Sequence, residues 1–421
     1  MTTYRKRSFS SGTLPPRPRH IAWKCLLRWG QGGIFAETLI AREAEGLSVQ
    51  DRALVQAIVL GVLRNLRFLE YLCSRLRSGH LEDSVRWLIL CGLCQLFILR
   101  KADHAAVSET VSLAPQRVRG LVNGVLRNAV RRREEFLDLL PELPWGIRYS
   151  APDWLVERWI RNFGADEAHQ LLSWNVGTPP VYARINPLLP PDIPREWEPL
   201  EHAPGWFRLP AGLPVEDLRQ GRIYIADPST RYCVEMLAPR SGERVLDACA
   251  APGGKSAAMI AATRGEIDLL ATDAEQHRLP QLRENLARAG ACKVEVCRFD
   301  WSAPCPCEWR GAFDAVLLDV PCSNSGVLQR RVDARWRLRP EEITRLAALQ
   351  QKILCSACEA VRPGGRLVYS TCSIDAEEDS AVVQAFLADH PDFELVKDYL
   401  ALPHREMADG AYAALLHRKL L

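Results

Sequence analysis

Val245–Ile260, VLDACAAPGGKSAAMI, is the stretch that decides the fold. Arg244–Asp247 reads as a short buried strand, Gly253 and Gly254 break it, and Lys255–Ala262 continues as a helix. Glycine lets the backbone approach a ligand closely. A helix that begins near Lys255 offers free N–H groups and the positive end of its dipole to an anion. Outward from this unit, strands and helices alternate. Asp268–Ala271, Val294–Cys297, Ala315–Leu318 and Arg366–Tyr369 read as strands; His277–Ala289 and Pro340–Val361 read as helices. That alternation predicts an α/β domain with a doubly wound, mostly parallel sheet.

Phe313–Gly326, FDAVLLDVPCSNSG, places chemistry on that sheet. The apolar run Ala315–Leu318 reads as a strand buried on both faces. It ends in Asp319, and Pro321 stops its continuation. Open α/β sheets hold ligands at the carboxyl ends of their strands. Cys322 follows three residues after Asp319. Cys372 falls just past Leu367–Tyr369, at the same expected edge. A single cysteine is more often core than site; two thiols and a carboxyl at one cleft make a candidate site. Asp273 ends the second strand roughly 20 residues after the glycine loop, the spacing at which an acid grips ribose hydroxyls. Asp300, after the third strand, is a further candidate for the base end of such a ligand. The series Asp273, Asp300 and Asp319 points to an adenosine-type cofactor. A P-loop ATPase is the rival reading. Gly254, Lys255 and Ser256 are in place for one, but Cys249 stands where the first glycine belongs. FDAVLLD would then hold magnesium.

With 421 residues, two to three domains are expected. The balance of 54 Lys+Arg against 51 Asp+Glu neither demands nor excludes nucleic acid, so local clusters must decide. Two are present: Arg117, Arg119, Arg127 and Arg131–Arg133, and the run Arg330, Arg331, Arg335, Trp336, Arg337, Arg339. Both suit a nucleic-acid backbone, the second with a ring for base stacking. Met1–Arg19 is basic and has no apolar signal core. The 14 cysteines are therefore expected as free thiols of a reduced, cytoplasmic protein. Cys91/Cys94, Cys305/Cys307 and Cys355/Cys358 lack a second pair or a histidine cluster nearby, so no metal is expected. Trp87–Leu99 is short of a bilayer span and carries Gln95, so it reads as a buried helix without a membrane role. The expected organisation is a disordered basic tail over 1–19, a helical domain over 20–140, a linker and small α+β subdomain over 141–226, and the α/β domain over 227–421. A monomer is expected.

CAAPGGK (Cys249–Lys255), DVPCSNSGV (Asp319–Val327) and YSTCSIDAEED (Tyr369–Asp379) resemble motifs of the S-adenosylmethionine-dependent RNA cytosine-5 methyltransferases, the RsmB/NOP (Sun) family. HAAVSETV (His104–Val111) and LVNGVLRN (Leu121–Asn128) resemble the NusB-like RNA-binding domain found in that family. The resemblance implies a Rossmann-like class I methyltransferase domain behind an all-helical NusB-like domain, with 16S ribosomal RNA as partner. It implies Cys372 as nucleophile, Cys322 as the thiol that releases the product, and Asp319 as the residue that binds the base. For S-adenosylmethionine it implies Cys249, Ala250, Ala251, Pro252, Gly253, Gly254, Lys255, Asp273, Asp300 and Asp319. A non-catalytic RNA-binding assembly protein with the same fold is the other alternative. Asn324 and Ser325 stand where many members have Gly-Thr, Ala226 where a glutamine is usual, Asp379 where asparagine is frequent, and Ala411 where an aromatic is frequent.

Overall fold

A computed structural model of the chain describes residues 18–210, 212–290 and 293–420. They form two compact units divided between Val176 and Gly177. Of the expected basic tail, residues 1–17 lie outside the described residues, and Pro18 and Arg19 open the first helix rather than a disordered segment.

The first unit is helical throughout. Its centre is the helix Asp83–Leu93, which runs on as a π-helical turn over Cys94–Ile98. Gln95 is the polar group in this apolar stretch, and it is fully buried. Its amide donates to the Cys91 carbonyl at 3.1 Å and the Thr110 hydroxyl at 3.2 Å, and its oxygen accepts from Arg19 Nε at 2.6 Å. A satisfied amide inside a helix is tolerable in a protein core. No helix among the described residues is long and apolar enough to cross a membrane. The helix Gln116–Arg131 turns Val122, Val125, Leu126 and Ala129 inward, at the three-and-four spacing of one helical face.

The second unit holds two sheets. The smaller is antiparallel and is built from β1 (Val181–Ile185), β2 (Glu198–Pro199), β3 (Trp206–Leu209) and β4 (Ile223–Ile225), in the order β2-β3-β1-β4. The span 141–226 is thus shared out. Its two longest helices, Asp153–Phe163 and Ala165–Val176, fall in the first unit, and its strands and the short helix Val215–Arg219 in the second.

The larger sheet contains β5 (Arg244–Asp247), β6 (Asp268–Asp273), β7 (Lys293–Arg298), β8 (Phe313–Asp319), β9 (Val361–Thr371), β10 (Phe393–Ala401) and β11 (Ala411–Arg418). The order is β10-β11-β9-β8-β5-β6-β7. β5 to β9 are mutually parallel and β10 and β11 add antiparallel strands at one edge. Alternation along β8 explains its continuous apolar run. Ala315 and Leu317 pack with the helices Gly254–Ala262 and Leu279–Ala289, while Val316 and Leu318 face Ile353 and Leu354 on the opposite layer. A strand covered on both sides needs apolar residues at every position. The helix expected over Pro340–Val361 stops at Ala357, because Val361 already belongs to β9.

Two glycines of the helical unit make opposite predictions. A Cβ at Gly120 would meet nothing within 4 Å. Gly120→Ala should therefore stabilise the protein by about 0.5–1 kcal/mol, the helical cost of glycine. A Cβ at Gly92 would lie 2.7 Å from Leu126 Cδ1, in a fully buried side chain. Gly92→Ala should cost about 1–3 kcal/mol through overpacking. Urea unfolding midpoints that move in the same direction for both variants would contradict this account of the packing.

Candidate active site

The parallel register of β8 and β9 builds the site. Asp319 is level with Ser370, and Val320 N donates to Ser370 O at 3.0 Å. The two loops that leave these strands must therefore run side by side. Cys322 Sγ and Cys372 Sγ end 3.1 Å apart, both partly exposed. Asn324, at φ +62°, turns its side chain back. Its Nδ2 donates to Cys322 O at 2.9 Å, and its Oδ1 accepts from Cys372 Sγ at 3.3 Å. Asparagine tolerates this left-handed conformation better than most residues. Gly326 fixes the loop by a close approach. Its N–H donates to Cys372 O at 3.0 Å, and a Cβ there would fall 2.7 Å from that same oxygen. Beneath the thiols, Glu378 accepts from Ser323 N and Gln350 Nε2, each at 2.9 Å, and Asp379 accepts from Thr371 Oγ1 at 2.6 Å. Burial pushes both carboxyls above their ordinary values.

The Cys322 thiol lies well above the ordinary thiol value. Its hydrogen bond to Cys372 is the largest cause, followed by burial and the charges of Cys372 and Glu378. Cys322 thus holds its proton firmly. Next to the pair, Lys255 Nζ binds Asp319 Oδ2 at 2.6 Å. Burial alone would lower the lysine, but the charge of Asp319 and its hydrogen bond oppose this and hold it firmly protonated. The pair is half-buried, with the two side chains 19% and 30% exposed.

The glycine loop sits over the ends of β5 and β6. Ala250 N donates to Thr272 O at 2.8 Å, Ala251 N to Asp273 Oδ2 at 3.1 Å, and Asn285 Nδ2 to Pro252 O at 2.7 Å. Gly253 has φ +106° and caps the helix Gly254–Ala262. Asp273 also accepts from Glu275 N at 3.0 Å, so part of its accepting capacity is spent on the loop itself. Asp300 is exposed and accepts from Ser302 N at 2.9 Å. The Cys249 thiol is raised well above its ordinary value by burial and by Asp319, Asp247 and Asp273.

Asp247 carries no signal in the sequence beyond its place at a strand end. It is 1% exposed, it accepts from Ser256 Oγ, and its Oδ1 has no partner among the described residues. Burial, with a contribution from Asp319, raises it to about 7. Asp319, Asp247, Asp273 and Asp300 thus follow one another along β8, β5, β6 and the end of β7. Such acids repel a triphosphate, and Lys255 is already bound to one of them, so the loop does not fit a P-loop. A cationic sulfonium, an amino group and ribose hydroxyls match the same acceptors.

The basic clusters are only partly available. Arg330 donates to Asp227 at 2.7 Å, to Asp409 at 2.8 Å and to Pro180 O at 2.8 Å. It clasps three loops and is no free phosphate ligand. Arg335 is 2% exposed and donates to Leu328 O. In the helical unit, Arg117 pairs with Glu82, Arg132 with Glu135 and Arg133 with Asp103. Among the described residues, Arg119, Arg127 and Arg131 make no ion pair. Arg330 with its two acids and Asn324 against Cys372 are features that sequence reading did not assign to the site.

A doubly wound sheet with a glycine loop after its first strand and acids at successive strand ends defines a Rossmann-like methyltransferase. Comparison with known proteins places it further. Residues 234–417 match the family described as 16S rRNA methyltransferase RsmB/F, and residues 16–131 match the NusB family. Ribosomal RNA small subunit methyltransferase B of Salmonella arizonae is 36% identical, with 88% of this chain and 91% of that protein covered. The protein of the same name from Klebsiella pneumoniae is 37% identical, with 89% and 92% covered. The crystal structure of PH0851 has the same fold, with a TM-score of 0.76 at 22% identity over 97% of this chain and all of that one. The chain belongs to the 16S rRNA methyltransferase RsmB/F family, and its cofactor is S-adenosylmethionine.

Asp247 gives the site a pH signature. Its folded value of about 7 lies above the ordinary value near 3.9. A raised acid contributes stability below its unfolded value and loses it as pH rises through the folded one. Asp247→Asn removes that loss and keeps an acceptor for Ser256. The variant should melt higher than the parent by a margin that grows from about pH 4 to about pH 7 and then levels off. A margin independent of pH in thermal unfolding would refute this role of Asp247.

Proposed function

We propose that this protein methylates C5 of a cytosine in 16S ribosomal RNA through a covalent bond between Cys372 Sγ and C6. The observation that carries this reading is the pair of thiols 3.1 Å apart beside Asp319 and Lys255. Methylation at an amino or hydroxyl group needs no sulfur nucleophile. C5 is different, because the ring must first be made electron-rich.

S-adenosylmethionine, when bound, supplies an electrophilic methyl group. The target base must leave its stack to reach a pocket of this kind. Cys372 adds to C6 as a thiolate, and the C5–C6 π pair shifts to C5 as the S–C6 bond forms. Asp319, oriented by Lys255, accepts from the exocyclic amine and so fixes the ring in the pocket. Once methylated, C5 carries both its hydrogen and the new methyl. Cys322 then takes the C5 proton. The C–H electron pair restores C5=C6, and the S–C6 bond breaks to return the Cys372 thiolate.

The coupling between the thiols supports this order. The largest cause of the raised Cys322 value is its bond to Cys372. Alkylation of Cys372 removes that bond together with the smaller effect of its charge, so Cys322 becomes a stronger acid only after the adduct exists. A thiolate base then appears at the step that needs one.

Cys322→Ala incubated with S-adenosylmethionine and 16S ribosomal RNA should accumulate a protein–RNA band on a denaturing gel. Cys322→Ala/Cys372→Ala should show none. Undiminished methylation by Cys322→Ala without such a band would remove Cys322 from the release step.

A further inference from the structure

A cavity lies in the second unit with neither thiol in its wall. It occupies about 370 Å³ between the small sheet and the helix Leu279–Ala289, and none of Asp247, Asp273, Asp300, Asp319, Cys322 or Cys372 lines it. That volume is at the lower end of the range for small-ligand pockets, about 300–1,000 Å³. Arg184, Arg288 and Tyr224 form part of its wall, with Ile223 and Leu218 as apolar surface. No aspartate or glutamate lines it among the described residues.

Arg184 is the unusual group. It is on β1, and its guanidinium makes no hydrogen bond or ion pair among the described residues. Burial brings it down to about 10, so it still carries its charge near neutrality. Arg288 lacks an acid partner as well. Its donors go to Leu218 O at 3.3 Å and to Asn285 Oδ1. Two guanidiniums in a half-closed apolar cavity, with no anion from the chain itself, are an incomplete arrangement. Desolvating a charge without a partner is costly, and arginine forks complement the oxygens of an oxyanion.

We propose that this cavity is a phosphate subsite that holds one nucleotide unit, with its phosphate at Arg184 and Arg288 and its sugar or base against Tyr224 and the apolar wall. The assignment of phosphate rests on the reading of RNA as substrate. The nucleotide would be part of the RNA, outside the target cytosine, or a free nucleotide; the recognition chemistry is the same. Pro252 and Ala257 of the cofactor loop and its helix share the wall, and a Cβ at Gly254 would lie 3.2 Å from Tyr224 Cε1. The subsite therefore adjoins the cofactor loop, and neither thiol lines it.

Calorimetric titration with inorganic phosphate, cytidine 5′-monophosphate and a short oligoribonucleotide tests the proposal on the full chain. At least one ligand should bind the parent, and Arg184→Met should weaken that binding about tenfold or more, the usual worth of a charge-assisted hydrogen bond. Arg184→Met should also raise the melting temperature of the unliganded protein, because a half-buried charge with no partner among the described residues is gone. Binding of the oligoribonucleotide alone identifies RNA as the source; equal binding of the mononucleotide identifies a free nucleotide. Absence of saturable binding, or equal binding by parent and Arg184→Met, overturns the proposal. If Arg184→Met loses both stability and binding, Arg184→Lys decides: recovery of binding supports the subsite, and no recovery overturns it. The covalent band of Cys322→Ala does not involve this cavity, so failure here is separable from failure of the methylation chemistry.

Discussion

The parallel pairing of β8 with β9 is the constraint on which the site depends. Level placement of Asp319 and Ser370 leaves two loops with no choice but to run together. Gly326 lets them touch, since its N–H reaches the Cys372 carbonyl where any side chain would collide. A second contact ties the pair to the turn before β11, where Gly410 N donates to Gly326 O at 2.8 Å. Arg330 closes the same turn through Asp409, and Asp227 joins it from the start of the domain. Thiols 3.1 Å apart are thus a product of backbone geometry, held from three directions.

Electrostatics divides the labour within that frame. Acids at consecutive strand ends are crowded, and burial raises Asp247 rather than leaving it charged. Lys255 relieves the crowding at Asp319, at a distance of 2.6 Å. The lysine that would grip a phosphate in a nucleotide triphosphatase therefore neutralises a carboxylate here. The thiols differ for a related reason. They share one region, so the presence of one raises the other, and Cys322 keeps its proton. Chemistry that alternates between two sulfurs is available to such a pair and unavailable to either alone.

Much of this was legible in the sequence where local pattern and tertiary role coincide. The run at β8 reads as a two-faced strand because both layers demand apolar residues. Gly253–Gly254 announces a loop because the backbone there needs φ +106°. Asp319, Cys322 and Cys372 could be placed at one edge from strand ends alone. Other features depend on partners distant in the chain. Arg330 looked like part of an exposed basic run, yet Asp227 and Asp409 lie 103 and 79 residues away. Asn324 read as a departure from pattern, and only the fold brings it to Cys372, 48 residues on. β10 escaped notice because most of its residues are exposed and show no alternation. The helical unit was legible from its spacing, but the ion pairs of Arg117, Arg132 and Arg133 were not.

The central claim is that methylation occurs at carbon 5 of cytosine, with loss of the hydrogen there. The direct test is methyl transfer to small-subunit ribosomal RNA transcribed with cytidine tritiated at C5. The account predicts tritium release to water in step with methyl incorporation, and loss of both in Cys372→Ala. Methyl incorporation with the tritium retained would contradict it, because the methyl would then reside on another atom and the paired thiols would need a different explanation.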